Sequence, residues 1–206
     1  MDLIRITDVQ KTYKTGTVAL YDVDLTISKG EFVFIIGASG SGKSTLIKKL
    51  DLEYLTISPD TLRLLFSEPE VIEVDNHFCM QYSRKYDKEV WELIFKALEE
   101  RMKNGSDTII DACNFTQDFI ERYKNLADPY DFKIIALDFS SLPLDVLLKQ
   151  NKQRLHYDAG LHYTPEHLVR DRYQRMEPIP KGIYTINATA PDVEEKFWKI
   201  YKEFEV

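Results

Sequence analysis

The sequence predicts an α/β fold, a three-layer sandwich in which helices cover both faces of a mostly parallel sheet, preceded by an antiparallel β-hairpin. Three observations support this prediction. From residue 31 onward, strand-like segments alternate with helix-like segments, as they do around parallel sheets. Glu31 is followed by five consecutive apolar residues, which is typical of a strand buried on both faces. The preceding segment alternates apolar and polar side chains, as half-buried antiparallel strands do.

The hairpin is predicted from two strand-like stretches and a turn between them. Residues 3–6 form the first stretch, and a turn is expected at residues 15–16. Residues 22–27 form the second stretch, with apolar side chains at every other position. The predicted domain boundaries are 1–31 for the hairpin and 32–206 for the main domain.

The main domain is predicted to alternate strands and helices. The clearest helix spans residues 87–104, because apolar residues recur every four positions and Gly105 is placed to end it. A second helix is expected to open with Thr164 as its cap and Pro165 in its first position. A last helix is expected over residues 193–204. Besides 31–36, strands are predicted at 54–57, 108–111, 133–138 and 182–186.

Composition and charge narrow the possible functions. With 27 basic and 34 acidic residues, the net charge of −7 argues against coating long nucleic acid by bulk electrostatics. The separation of Cys79 and Cys113 favours two packing residues over a disulfide or a metal site. No apolar run approaches the roughly 20 residues of a membrane span, and the N-terminus has no signal-peptide pattern. These features predict a cytoplasmic protein without a membrane partner.

A phosphate-binding motif follows the most apolar strand. Residues 37–45 fit GxxxxGK(S/T) and lead into a helix-forming stretch, which is the context that this motif requires. In such a loop the backbone N–H groups surround the phosphates, Lys43 reaches the β- and γ-phosphates, and Ser44 completes a magnesium shell. We therefore predict ATP and Mg²⁺ as cofactors. The residues assigned to nucleotide binding in this loop are Gly37, Ala38, Ser39, Gly40, Ser41, Gly42, Lys43, Ser44 and Thr45.

Asp60 and Arg63 are candidates for the acceptor side of a phosphoryl transfer. Asp60 lies just past the predicted strand at 54–57, where parallel sheets bind ligands. A carboxylate there can take the proton of an attacking hydroxyl, and a guanidinium three residues later can hold an anionic group. On spacing alone, Asp60 is equally well placed to cap the following helix, so both interpretations stay open.

Two further segments carry candidate ligands. The strand at 108–111 ends in Asp111, the position of a magnesium ligand in proteins with this loop, although a strand-end turn residue is the alternative. Residues 149–181 hold seven basic and four acidic side chains, a net charge of +3. A lid that closes over polyphosphate needs this sign, and a solvated helix face would show the same charges. Arg154 is the candidate ligand in this lid.

Residues 37–176 resemble the P-loop polynucleotide 5′-hydroxyl kinases, especially those of phages. The resemblance implies a three-layer P-loop fold with strand order 2-3-1-4-5. It also implies that Asp60 is the general base for the 5′-hydroxyl, that Arg63 holds the neighbouring phosphate of the acceptor, and that Arg154 contacts the donor phosphates. Asn114 is assigned to substrate binding. The matching strings are the phosphate loop, Ser-Pro-Asp-Thr-Leu-Arg at 58–63, the helix at 90–105, Ile-Ile-Asp-Ala-Cys-Asn at 109–114, Asn-x-x-Arg at 151–154, and the helix at 164–176.

The first 50 residues resemble a different class, the ATP-binding subunits of the ABC class, and are most similar to the cell-division member. Strings at 6–13, 18–27 and 29–37 carry this resemblance. It implies that Tyr13 stacks on adenine if the hairpin docks as in that family. The later ABC motifs are missing from the sequence, so docking to an ABC membrane subunit is not expected. The chain therefore resembles a hybrid joined at the shared phosphate loop.

Together these features predict an ATP-binding protein that transfers the γ-phosphoryl group to a nucleic-acid 5′-hydroxyl. Two alternatives stay open: a small-molecule kinase on the same scaffold, and a nucleotide-binding hybrid, such as an engineered chimera, without catalysis. The predicted catalytic residues are Lys43, Asp60, Arg63 and Arg154, and the predicted metal ligands are Ser44 and Asp111.

Overall fold

The computed structural model describes six stretches of the chain, residues 4–12, 18–27, 31–74, 76–114, 116–156 and 158–203. Short 3-10 helices connect several of the larger elements. In chain order, the strands and helices are β1 (Ile4–Thr12), β2 (Val18–Ile27), β3 (Glu31–Ile36), α1 (Lys43–Lys49), β4 (Thr56–Ile57), α2 (Pro59–Arg63), β5 (Glu70–Val74), β6 (His77–Gln81), α3 (Asp87–Lys103), β7 (Thr108–Asp111), α4 (Gln117–Ala127), β8 (Lys133–Asp138), α5 (Leu144–Gln153), α6 (Glu166–Gln174), β9 (Tyr184–Asn187) and α7 (Val193–Glu203).

Five parallel strands form the central sheet in the order β4-β7-β3-β8-β9. Counted in chain order among these five strands, the order is 2-3-1-4-5, which confirms the predicted topology. Phe34 in the central strand β3 is flanked by Ile110 of β7 and Ala136 of β8. This order brings the carboxyl ends of β4, β7 and β3 side by side, at the edge where parallel sheets bind ligands.

The apolar run of β3 is buried on both faces of the sheet. Phe34 and Ile36 pack in one core with residues of α3 and α4, whereas Val33 and Ile35 pack in a second core with residues of α1 and α7. All four side chains are at most 1% exposed. Because helices cover both faces, the predicted three-layer architecture is confirmed.

The predicted N-terminal hairpin is present and forms its own two-stranded sheet. β1 and β2 pair antiparallel, with Ile4 opposite Ile27 and Ile6 opposite Leu25. Tyr13, which is predicted to stack on adenine, lies outside the described residues.

A second hairpin, formed by β5 and β6, was not predicted from the sequence. Its strands pair antiparallel, with Glu70 opposite Gln81. Val71 and Phe78 are 70% and 78% exposed, so the hairpin adds little to the core and lacks the apolar pattern of a buried strand. The hairpin matters for the site because the chain that leaves β6 lines the main cavity.

The helix boundaries agree with the sequence pattern at α3 and differ at α6. α3 ends at Lys103, and Gly105 follows with a φ of +64°, the left-handed conformation that favours glycine after a helix. α6 begins at Glu166 with Pro165 at its N-cap position, and no side chain caps it. The predicted capping role of Thr164 is therefore wrong, because its hydroxyl bonds to the phosphate loop instead.

Both cysteines are free thiols, but the prediction that both are packing residues holds only for Cys79. Cys79 is buried, whereas Cys113 is only partly buried and lines the main cavity. No helix in the described stretches is long and apolar enough to cross a bilayer.

Candidate functional site

A cavity of about 960 Å³ at the carboxyl edge of the sheet gathers most of the predicted residues. Its walls come from the phosphate loop, the segments after β4 and β7, and residues 149–181, the segment predicted to form a lid. The predicted residues that line it are Ser39, Lys43, Ser44, Asp60, Arg63, Asp111, Asn114 and Arg154.

Two glycines of the phosphate loop, Gly37 and Gly40, allow the loop to pack closely against its neighbours. A Cβ on Gly37 would lie only 2.7 Å from Ser41 Oγ and 2.8 Å from Phe139 Cβ. A Cβ on Gly40 would lie 3.0 Å from the carbonyl oxygen of Leu147 on α5, and its φ of +91° also favours glycine. These positions need glycine because the loop is pressed against its neighbours, and α5 rests directly on the loop.

The remaining predicted loop positions take different roles. Ala38 is buried in a small apolar cluster with residues of α5 and α6. Gly42 has a φ of +95° and forms the N-cap of α1. Ser41 is buried and Thr45 is exposed, and neither lines the cavity.

Lys43 and Ser44 occupy the positions expected in a phosphate site. Lys43 Nζ donates hydrogen bonds to the carbonyl oxygens of Gly37 at 3.0 Å and Ala38 at 3.2 Å, so its ammonium group lies over the loop. Ser44 Oγ donates to Asp111 Oδ2 at 2.7 Å. A hydroxyl and a carboxylate so close together fit a Mg²⁺ ion that keeps its other positions for phosphate oxygens and water. Within the described stretches, no group of three or more His, Cys, Asp or Glu side chains offers an all-protein metal site.

Asp60 and Arg63 form an ion-paired cluster with a third residue, Asp87. Arg63 donates through Nη1 to Asp60 Oδ1 and through Nε to Asp87 Oδ1, the second at 2.7 Å. The Arg63 side chain is 7% exposed, whereas that of Asp60 is 50% exposed. The N-cap of α2 is Ser58, so Asp60 lies inside the helix and not at its cap. A guanidinium therefore orients the Asp60 carboxylate, which stays accessible in the cavity wall.

The lid contacts the phosphate loop through Ser39. Arg154, which follows α5, donates from Nη1 to Ser39 Oγ at 3.1 Å. Thr164 Oγ1 donates to the same oxygen at 2.8 Å. Burial lowers the pKa of Arg154, while the negative charges of Asp111 and Asp60 oppose that shift. The Arg154 guanidinium therefore lines the same cavity as the Asp111 and Asp60 carboxylates.

Asn151 connects two parts of the predicted lid segment, helix α5 and the chain just before α6. Its side chain is 2% exposed, donates from Nδ2 to the Thr164 carbonyl at 2.7 Å, and accepts at Oδ1 from the Thr164 N–H at 3.1 Å. These two bonds fix the residue whose hydroxyl touches the loop. The Asn-x-x-Arg string contains Asn151, but its role was missed because its partner lies 13 residues away.

Asn114, predicted to bind substrate, uses its amide within the protein. Nδ2 donates to the Ile35 carbonyl at 2.9 Å, and Oδ1 accepts from the Tyr123 hydroxyl at 2.9 Å. The side chain is 4% exposed, and the φ of +46° turns the chain sharply after β7. Burial raises the pKa of Tyr123, so its hydroxyl stays protonated and keeps donating. The contacts of Asn114 position the segment that follows Asp111.

Several cavity residues were missed or treated only as surface charge in the sequence pattern. Asp87 and Trp91 lie one helical turn apart at the start of α3, and this spacing was the available signal that they share a face. Arg172 was counted only within the positive charge of the lid. The missed cavity residues include Gln81, Tyr82, Arg84, Asp87, Trp91, Phe119 and His162.

One group of similar proteins consists of importer ATP-binding proteins. The chain is 47% identical over 60 residues to the phosphonates import ATP-binding protein PhnC of Lactobacillus acidophilus, a match that covers 29% of this chain and 23% of that protein. The chain spans less than two thirds of the length of such curated relatives, from 16% to 62%.

Solved structures share the fold at low sequence identity. A chain of the Pnkp1/Rnl/Hen1 RNA repair complex has a TM-score of 0.58 and 19% identity, over 77% of this chain and 50% of that chain. A gluconokinase from Sinorhizobium meliloti 1021 has a TM-score of 0.53 and 16% identity, over 87% of this chain and 95% of that chain. At these identities the likeness concerns the fold alone, which is that of P-loop kinases.

The family model described as AAA domain matches residues 32–179. This range is more than half of the chain and holds the phosphate loop, Asp60, Asp111 and Arg154. It also includes α5, α6 and the hairpin between α2 and α3. The chain belongs to the AAA domain family.

Proposed function

We propose that this protein transfers the γ-phosphoryl group of ATP to the 5′-hydroxyl of a nucleic acid. The observation that carries the proposal is that one cavity is lined by the phosphate-loop residue Lys43, by the Ser44–Asp111 pair, and by the half-exposed carboxylate of Asp60. A candidate donor site and a candidate base therefore share one cavity, which is what an in-line transfer requires.

The residues would divide the chemistry between the two ends of the cavity. Lys43 and Arg154 would neutralise charge on the β- and γ-phosphates, and Ser44 and Asp111 would hold Mg²⁺. Bound Mg²⁺ would supply further positive charge to the phosphate oxygens. At the other end, Asp60 would accept the hydroxyl proton as the new O–P bond forms and the bond to ADP breaks.

A nucleic-acid acceptor is favoured by the chemistry of the cavity wall. Arg63, Arg84 and Arg172 line the cavity, and guanidinium groups suit the phosphates of a polynucleotide. The rings of Trp91 and Phe119 also line it, with centroids 5.0 Å apart. Aromatic rings of this kind can stack on a base.

The test is a transfer assay with labelled ATP, Mg²⁺ and a 5′-hydroxyl oligonucleotide. Wild-type protein should form the 5′-phosphorylated product, and Asp60→Asn should lower the rate about 100-fold or more while ATP affinity stays within about twofold, because a general base acts on the transfer step. Asp145→Asn, in the first turn of α5 and outside the cavity wall, is the matched control. Full activity of Asp60→Asn would remove Asp60 as the base.

The same assay separates the alternative functions. Product with gluconate or a nucleoside but none with the oligonucleotide would indicate a small-molecule kinase on this scaffold. ATP binding without transfer to any acceptor would indicate a nucleotide-binding protein without catalysis.

We also propose that the first 50 residues share descent with ABC ATP-binding subunits, joined to a kinase-like body at the phosphate loop. Matches of 47–54% identity over 49–60 residues support this hypothesis, because that length is close to the length of the front segment. If Tyr13 stacks on adenine, Tyr13→Ala should weaken ATP binding about tenfold. Unchanged ATP affinity would mean that the hairpin does not contact the base.

A further inference from the structure

The β5–β6 hairpin and the segment before it carry most of the exposed large apolar side chains. In the part of the chain that the structure describes, eight large hydrophobic residues are exposed, and five of them lie between residues 64 and 78. A single exposed apolar residue is ordinary on a protein surface, whereas a concentration of them marks a surface that binds a partner. The five are Leu64, Leu65 and Phe66 before the hairpin, and Val71 and Phe78 within it.

One face of the hairpin, its inner face, packs against the predicted lid segment. Ile72 and Cys79 lie opposite each other on this face, and Cys79 is buried. A Cβ added to Gly160 would lie 2.6 Å from the Cys79 Cβ, so the lid segment rests directly on Cys79. Gln81 Nε2 donates to the Tyr163 carbonyl oxygen at 3.3 Å. The hairpin is therefore fixed to the protein through its inner face.

The opposite face of the hairpin, its outer face, is open to solvent. Val71 lies opposite Met80, and Glu73 lies opposite Phe78. Because side chains two positions apart on a strand share a face, these four side chains point the same way. Met80 is partly buried, and the other three side chains are exposed. Three apolar side chains and one carboxylate thus form the outer face.

Strand β5 also has an open edge. It pairs with β6 on one side, and the two strands form a sheet of their own. Among the residues that the structure describes, no backbone hydrogen bond is formed on the other side of β5. The N–H and C=O groups of such an edge can pair with an added strand.

The charge of this region indicates which kind of strand could be added. Residues 64–83 contain four acidic side chains and no lysine or arginine, so their charge of −4 is more than half of the net charge of −7. Like charges repel at short range, which disfavours a second copy of the hairpin, a polynucleotide or an anionic bilayer. A segment with basic side chains is attracted instead. The acidic residues are Glu68, Glu70, Glu73 and Asp75.

We propose that the β5–β6 hairpin binds an extended, basic segment of another protein, which adds a strand to the open edge of β5. Backbone hydrogen bonds join the segment to β5, its large apolar side chains cover Val71 and Phe78, and its lysines or arginines pair with the acidic residues. Neither Val71 nor Phe78 lines the main cavity, so this docking is separate from the proposed phosphoryl transfer.

The first test uses three synthetic peptides with blocked termini. One has the sequence Lys-Val-Lys-Phe-Lys-Val-Lys, the second has glutamate in place of each lysine, and the third has serine in place of each apolar residue. In calorimetric titration of the full chain, the first peptide should bind with a Kd below about 1 mM, and the other two at least about tenfold more weakly. Absence of binding by the first peptide at this concentration overturns the proposal.

Variants of the outer face show where the first peptide binds. Val71→Ser and Phe78→Ser should each weaken binding about tenfold, and Glu73→Gln about threefold, because an exposed ion pair contributes less than apolar contact. Tyr54→Ser and Glu195→Gln are matched controls, since Tyr54 is 74% exposed against 78% for Phe78, and Glu195 is exposed on α7. An ATP affinity within about twofold of wild type shows that each variant is folded. Equal peptide binding by hairpin variants and controls overturns the proposal.

Hydrogen exchange tests the strand pairing itself. Saturation with the first peptide should slow amide exchange in β5 about tenfold or more, because N–H groups at its open edge become hydrogen-bonded. The amides of β9, at one edge of the central sheet, should exchange as before. Peptide binding that leaves β5 unchanged, or that protects β9 equally, overturns strand addition at this hairpin.

Sedimentation of the free protein tests a second copy as the occupant. Equal sedimentation of wild-type protein and Phe78→Ser supports a different partner. A dimer that Phe78→Ser converts to a monomer would mean that the outer face binds another copy of this chain, and it would overturn the proposal. None of these measurements requires phosphoryl transfer, so failure of the proposed function would leave their outcome unaffected.

Discussion

Ser44 donates its hydroxyl hydrogen to the Asp111 carboxylate at 2.7 Å, which joins the first turn of α1 to the end of β7. The contact is possible because β7 and β3 are neighbours in the sheet, so the residues that follow or end these strands meet at one edge. Two oxygen atoms that could bind Mg²⁺ therefore lie together beside the phosphate loop.

Asp111→Asn should weaken ATP binding only when Mg²⁺ is present. We expect the Kd for ATP with Mg²⁺ to rise about tenfold, because a neutral amide is a poorer magnesium ligand than a carboxylate. In EDTA, wild-type and variant protein should bind ATP within about twofold of each other. Titration calorimetry under both conditions measures this difference. An equal loss in both would mean that Asp111 supports the loop and not the metal.

The parts of this molecule that could be predicted from the sequence are those with local causes. The strands at 31–36, 108–111 and 133–138 have the predicted bounds because buried strands are continuous apolar runs between polar boundaries. Asp60 and Arg63 contact each other as their three-residue spacing suggests.

The parts that could not be predicted depend on long-range contacts or on exposed residues. The bond from Arg63 to Asp87 spans 24 positions, and no local pattern signals it. The hairpin of β5 and β6 is largely exposed, so its sequence does not show the regular alternation of apolar residues that predicts a strand. Thr164 has the sequence context of a helix cap, but a loop 125 residues away offers its hydroxyl an alternative partner.

Gly40→Ala should destabilise the protein more than Gly182→Ala does. Both glycines have similar positive φ values, +91° and +89°, so the backbone cost of alanine should be about 1 kcal/mol in each case. A Cβ at Gly40 would also lie 3.0 Å from the Leu147 carbonyl, whereas nothing lies within 4 Å at Gly182. Urea denaturation of both variants measures the difference. Equal losses in the free energy of unfolding would mean that α5 moves away from the added Cβ at little cost.

Asn151→Ala should destabilise the contact between α5 and the chain before α6. The substitution leaves the carbonyl and N–H of Thr164 without their partner, and we expect a loss of about 2 kcal/mol in the free energy of unfolding. ATP affinity should also fall, because Thr164 no longer holds its place against Ser39. Lys152→Ala, an exposed neighbour on α5, should change neither quantity. Thermal denaturation with and without ATP checks both effects. Unchanged stability of Asn151→Ala would show that water replaces the amide at no cost.

Tyr123→Phe should change both the stability and its dependence on pH. The Tyr123 hydroxyl donates to Asn114 Oδ1 at 2.9 Å, and its loss should cost about 1 kcal/mol at neutral pH. Burial raises the pKa of this phenol above its usual value of about 10. The unfolded chain therefore releases the phenolic proton at a pH at which the folded protein still holds it, so alkali favours unfolding.

The sign of this effect distinguishes it from a simple loss of packing. As the pH rises above about 10, ionisation of Tyr123 in the unfolded chain should lower the free energy of unfolding of the wild-type protein by up to about 1.4 kcal/mol per pH unit. Tyr123→Phe has no phenol at this position and should not show this loss. The stability advantage of wild-type protein over the variant should therefore shrink above pH 10 and then reverse. Urea denaturation of both proteins from pH 7 to pH 11 measures it. Curves that stay parallel over this range would mean that the folded protein lets Tyr123 ionise as easily as the unfolded chain does.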